Sequence, residues 1–135
     1  MAELTLQASL EKLDEVLAFV EENLEKNDCP MKVLMQVQIA VEEIFVNIAH
    51  YAYGSEQGTA TIRAEVGGDP LQVIITFIDQ GVPYDPLQKE DPDVTLSAED
   101  RQIGGLGIFM VKKSMDDVKY EYADGKNILT ISKKI

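Results

Sequence analysis

The sequence predicts an α+β fold: a two-layer sandwich with helices on one face of a mostly antiparallel sheet. Two amphipathic helices stand side by side near the start, the strands are joined mainly by hairpin-type turns, and the regular strand-helix alternation of a doubly wound fold is absent. The 135 residues fit a single domain spanning 1–135, enough chain to bury roughly two thirds of its unfolded surface.

Glu3 to Gln7 alternates polar and apolar residues and reads as a short strand, with Ser9 as the N-cap of a helix. Leu10, Leu13, Leu17, Val20 and Leu24 recur at steps of three and four as its apolar stripe, and Asn27-Asp28 ends it. Pro30 suits the first turn of a second helix, whose stripe is Leu34, Val37, Val41, Ile44 and Ile48 and which runs to about Ala52. Tyr53 to Gly58 is a loop by composition. Ala60, Ile62, Ala64 and Val66 alternate as a half-buried strand, and Gly67 to Pro70 is a turn. Leu71 to Ile78, β-branched and almost continuously apolar, fits a central strand ending at Asp79. Gln80 to Gly104 is polar and carries no sustained periodicity, as a lid does. A helix follows from about Leu106 to Met115. Val118, Tyr120 and Tyr122 alternate, Asp124-Gly125 signals a hairpin, and Ile128, Leu129 and Ile131 complete the last strand.

Composition excludes several functions. Forty-five per cent hydrophobic and 27% charged residues indicate neither disorder nor a fibre. Twenty-four acidic against twelve basic residues, a formal charge of -12, argue against direct nucleic-acid binding, which relies on clustered Lys and Arg. No apolar run of bilayer-spanning length stands out, and Met1-Ala2-Glu3-Leu4 has no signal-peptide character, so a cytoplasmic protein with no membrane partner is expected. Cys29 and His50 are single, which leaves no Cys/His cluster for zinc. The tyrosines, Tyr51, Tyr53, Tyr84, Tyr120 and Tyr122, read as core or edge packing rather than a stacking platform.

Three short motifs carry chemistry. Glu43 and Asn47, at i and i+4, project from one helix face. An amide oxygen can ligate Mg²⁺ and a carboxylate can accept a proton, although the spacing alone more readily describes two solvated surface residues of an amphipathic helix. Asp79-Gln80-Gly81-Val82-Pro83 follows the most apolar strand. An ionised Asp there accepts from the exocyclic amine of adenine and repels the guanine carbonyl, and Gly81 permits close backbone approach; the plain alternative is an ordinary turn. Gly104-Gly105-Leu106-Gly107-Ile108 opens a helix, where bare backbone amides and the helix dipole favour phosphate, the alternative being a lid hinge. No strand directly precedes these glycines and no Gly-Lys-Ser/Thr follows, which excludes the dinucleotide and Walker A readings.

In this order the motifs resemble those of the Bergerat-fold (GHKL) ATPases, shared by gyrase, histidine kinases and heat-shock chaperones. Ala40-Val41-Glu42-Glu43 to Tyr53, and Gly104 to Ile108 through Met115-Asp116-Asp117-Val118, are similar to the anti-sigma-factor serine/threonine protein kinases, and the likeness covers nearly the whole chain. It implies ATP and Mg²⁺ as cofactors, Asn47 as the magnesium ligand, Glu43 as the general base and Asp79 as the adenine contact. Gly81, Gly105 and Gly107 become phosphate or lid positions, and Pro83, Gly104, Leu106 and Ile108 complete the nucleotide-binding segments. Arg101 stands where it could reach a phosphate or simply be a solvated lid residue. The implied activity is phosphorylation of a serine or threonine on a partner antagonist of anti-anti-sigma type. A sigma factor would be the second partner, transcription would be regulated by partner switching, and the implied assembly is a homodimer. A non-catalytic ATP-binding regulatory module is the alternative. His50 lies inside the pocket helix, so it does not serve as the phosphoacceptor of a histidine kinase. Glu3 to Asp28 contains no arginine, where members that hold a sigma factor carry one.

Overall fold

The computed structural model describes residues 1–54, 56–88 and 106–135. In chain order the elements are β1 (Ala2–Gln7), a 3-10 turn (Leu10–Lys12), α1 (Leu13–Lys26), α2 (Met31–Tyr51), β2 (Thr59–Gly67), β3 (Gln72–Asp79), a second 3-10 turn (Pro86–Gln88), α3 (Leu106–Ser114), β4 (Asp117–Ala123) and β5 (Lys126–Lys134). The sheet order is β1-β2-β3-β5-β4, with every pairing antiparallel. The α+β sandwich expected from the sequence is therefore the observed architecture, and β3 is its central strand.

Strand alternation builds one buried face. Ala60, Ile62 and Ala64 of β2, Val73, Ile75 and Phe77 of β3, and Leu129 and Ile131 of β5 point inward onto Val16, Val20 and Leu24 of α1 and Val37, Val41, Ile44 and Phe45 of α2. Phe45 and Phe77 are the largest fully buried side chains, and truncating either to alanine would cost about 3–5 kcal/mol at such a site.

Two local expectations are corrected. Ser9 precedes a 3-10 turn rather than the α-helix and makes no side-chain cap bond. Because that turn runs at three residues per revolution, it resets the phase of the following helix. Leu10 is left 51% exposed, and Val16, absent from the expected stripe, enters the core. The expectation that no segment reaches spanning length also needs amending: α2, 21 residues long with an 18-residue stretch of mean hydropathy 1.2, is long and apolar enough to cross a membrane by length and composition. Its seven buried residues, Val33 and Phe45 among them, give that apolarity a place in the core.

Candidate functional site

The ends of α2 and β3 are locked together at the backbone. Val82 N–H donates to the Ala52 carbonyl at 2.9 Å, and the Tyr53 hydroxyl donates to Thr59 O at 2.5 Å while accepting from Gln80 N–H at 2.8 Å. Gly81 lies directly on the Ala52 carbonyl, where a methyl group would overlap backbone atoms that cannot move aside. Gly81→Ala is therefore expected to destabilise the fold by about 1–3 kcal/mol and to separate the two motifs, read as a lower melting temperature together with weakened nucleotide binding.

This lock brings Asn47 and Asp79, 32 positions apart in the chain, to one cleft of about 450 Å³ with its open mouth included. Apolar walls come from Ile44, Ile48, Phe77, Ile108 and Leu129. Asp79 and Asn127 are the buried polar side chains on its floor. Asp79 Oδ1 accepts from Gly81 N–H and from Asn127 Nδ2, each at 2.9 Å, so among the described residues Oδ2 remains as an acceptor.

Asn127 organises the floor. Besides Asp79, its Nδ2 donates to Val82 O at 2.8 Å, while its Oδ1 accepts from Tyr84 N–H at 3.1 Å and from the Tyr120 hydroxyl. Four partners satisfy the side-chain amide and fix its orientation, which presents NH₂ rather than C=O to Asp79. Burial raises the pKa of the Tyr120 phenol, with Asp85 and Asp79 adding to the effect, so the phenol remains a donor. A raised folded value means that the fold holds this proton more tightly than the unfolded chain. The resulting stability is complete below about pH 10 and is lost as pH rises through the folded value. Thermal melts from pH 8 to 11 should show a steeper alkaline decline for wild type than for Tyr120→Phe.

The glycine motif meets the helix motif at Gly107. A Cβ on Gly107 would fall on the Glu43 carboxyl, so the missing side chain leaves that carboxyl its present place against the first turn of α3. Glu43 is half-buried there and does not line the cleft, whereas Asn47, one turn on, does. Of the other expected residues, Ile108 lines the cleft, Pro83 is exposed and forms none of its wall, and Leu106 begins α3. Arg101, Gly104 and Gly105 lie outside the described residues.

Sequence reasoning missed Asn127 and misjudged Tyr51 and Tyr84, whereas Tyr120 packs against the core and Tyr122 lies on the edge strand as expected. Asn127 could have been found, since it interrupts the inward series Asn127, Leu129, Ile131 opposite Asp79. Tyr51 and Tyr84 both line the cleft and stack, with ring centroids 5.6 Å apart and planes 26° from parallel, which corrects the reading of these residues as core or edge packing. No local pattern links positions 33 apart.

An antiparallel sheet covered by helices, with a buried acceptor at a strand end and a helix carrying carboxylate and amide beside Gly107 of α3, has the layout of a nucleotide-binding domain. The chain belongs to the histidine kinase-like ATPase domain family, whose model matches residues 6–133, and that membership implies use of ATP. Among curated relatives it is similar to the serine-protein kinase RsbW of Listeria monocytogenes serovar 1/2a, at 34% identity over 98 residues, covering 69% of this chain and 61% of the relative. It is also similar to the anti-sigma F factor of Clostridium acetobutylicum, at 26% over 107 residues (79% and 73% covered), and to the serine/threonine-protein kinase BtrW of Bordetella bronchiseptica, at 29% over 94 (70% and 66%). The chain thus spans about three fifths of the RsbW relative it matches. The solved structure of the RsbU and RsbW domains of Rv1364c from Mycobacterium tuberculosis shares the fold, with a TM-score of 0.65 and 15% identity over 99% of this chain and 32% of that one.

Proposed function

We propose that this chain is a Mg²⁺-dependent, ATP-using protein serine/threonine kinase that phosphorylates an antagonist-type protein partner and so takes part in partner switching around a sigma factor. The carrying observation is the meeting of Glu43 with Gly107 at the edge of a cleft whose floor presents Asp79 and whose wall presents Asn47. The similarity to kinases named RsbW and BtrW and to an anti-sigma F factor supports the same reading.

The residues fit the cofactors. Asp79 Oδ2 suits the adenine amine, and the Asn47 amide oxygen suits a hard cation that shares its remaining positions with phosphate and water. When bound, Mg²⁺-ATP supplies the phosphoryl group and neutralises its charge. The protein's own contribution is positional and electrostatic. Asp79, held by Asn127 and Gly81 N–H, orients the base; the apolar walls exclude water; Glu43 accepts the proton of the attacking hydroxyl at its carboxylate.

The test is radiolabel transfer. With [γ-³²P]ATP, Mg²⁺ and an extract of its source organism, wild type should label a protein on serine or threonine and lose this on adding EDTA. Saturable ATP binding without any transfer would instead identify a non-catalytic regulatory module.

A further inference from the structure

The catalytic row of α2 continues beyond the site. Met31, Met35, Ile39, Glu43, Asn47 and Tyr51 succeed one another at i+4, which makes them one ridge on the helix surface. Its second half enters the site, with Glu43 against Gly107 and Asn47 and Tyr51 lining the cleft. The first half is bare: Met31, Met35 and Ile39 are 65%, 59% and 63% exposed. Single exposed apolar residues are ordinary, but three large ones in register on a ridge that runs into the general base form a continuous apolar strip. At 1.5 Å per residue it extends about 18 Å from Met31 to Glu43.

Charge defines what would lie on it. Glu42 beside the ridge is exposed, and the neighbouring α1 exposes Asp14, Glu15, Glu21, Glu22 and Glu25. The exposed cations of the two helices are Lys26, already paired with Glu22 at 3.2 Å, and Lys32. An apolar track with an acidic border complements an apolar surface bordered by Lys and Arg. A hydroxyl within hydrogen-bond reach of Glu43 also places its carrier across the adjoining turn, where Ile39 stands.

We propose that the Met31-Met35-Ile39 ridge is the docking track for the phosphoacceptor protein, which packs an apolar strip on it and basic residues on its acidic border. Its serine or threonine is thereby delivered to Glu43. The unbranched methionines suit a surface that must adapt to a partner that comes and goes. The proposal rests on the kinase reading.

The probe is the full-length acceptor that wild type labels from [γ-³²P]ATP, purified. Met35→Glu and Ile39→Glu, at exposed positions, should raise the KM for this acceptor at least about tenfold, with kcat and the Kd for Mg²⁺-ATP unchanged, and Met35→Leu should behave as wild type. Glu43→Ala should show the opposite split, with kcat lost and acceptor binding retained; full activity in that variant would defeat the kinase reading and leave the docking result separately legible. An unchanged KM in both glutamate variants overturns the track. So does a rise in KM matched by weakened ATP binding, which places the effect in the nucleotide pocket. A smaller sedimentation coefficient with KM unchanged also overturns it, and makes the ridge a contact between copies of this chain.

Discussion

Glu43→Ala should bind Mg²⁺-ATP within about twofold of wild type while phosphoryl transfer falls by about 10²- to 10⁴-fold, the range set by loss of a positioned general base. The separation follows from geometry. Glu43 lies against Gly107 and forms none of the cleft wall, whereas Asn47, one turn further, does. Removing the carboxylate therefore takes away the proposed proton acceptor and leaves Asn47, Asp79 and the apolar walls in place. Titration with a fluorescent ATP analogue reports the first quantity and radiolabel transfer the second. Transfer retained at the wild-type rate would remove Glu43 from the role of base.

Asp79→Asn should weaken ATP binding by about tenfold to 100-fold and narrow the preference for adenine over guanine. The substituted side chain can keep its carbonyl oxygen on Gly81 N–H and Asn127 Nδ2, where Asp79 Oδ1 now accepts both bonds. Its NH₂ then stands where Oδ2 was, so a donor confronts the adenine amine. Leaving such a buried pair unmatched costs about 1–3 kcal/mol, which sets the range. Competition of unlabelled ATP and GTP against the fluorescent analogue measures both the loss and the ratio; an unaltered ATP/GTP ratio would show that Asp79 does not read the base.

What was legible in the sequence was what repeats locally. The i, i+4 pairing of Glu43 with Asn47, the alternation of β2 and the hairpin at Asp124-Gly125 each depend on neighbours within one or two turns. They are found where spacing put them. The start of α1 was misread because a 3-10 turn over Leu10–Lys12 shifts the helical phase and leaves Leu10 exposed; Val16, four residues before Val20 on the same buried face, was legible from the spacing and was overlooked.

The floor of the cleft was the least legible part. Asn127 reaches Asp79 from 48 positions away, Tyr120 and Tyr84 meet on Asn127, and Tyr51 stacks on Tyr84. These contacts arise from strand order, since β5 rather than β4 lies beside β3 and sets Asn127 opposite Asp79. Local pattern shows which residues form strands; it leaves open which strands become neighbours. Tyr53 belongs to the same group, for its hydroxyl joins Thr59 and Gln80 across two loops.

The central claim is that the cleft between α2, β3 and β5 is an adenine-nucleotide site. Isothermal titration of the wild-type chain with Mg²⁺-ATP and Mg²⁺-GTP tests it most directly. Saturable one-site binding of ATP, at least about tenfold tighter than GTP, is the predicted result, since in the proposed site Asp79 would accept from the adenine amine and repel the guanine carbonyl. No heat of binding, or equal affinity for the two nucleotides, would contradict it.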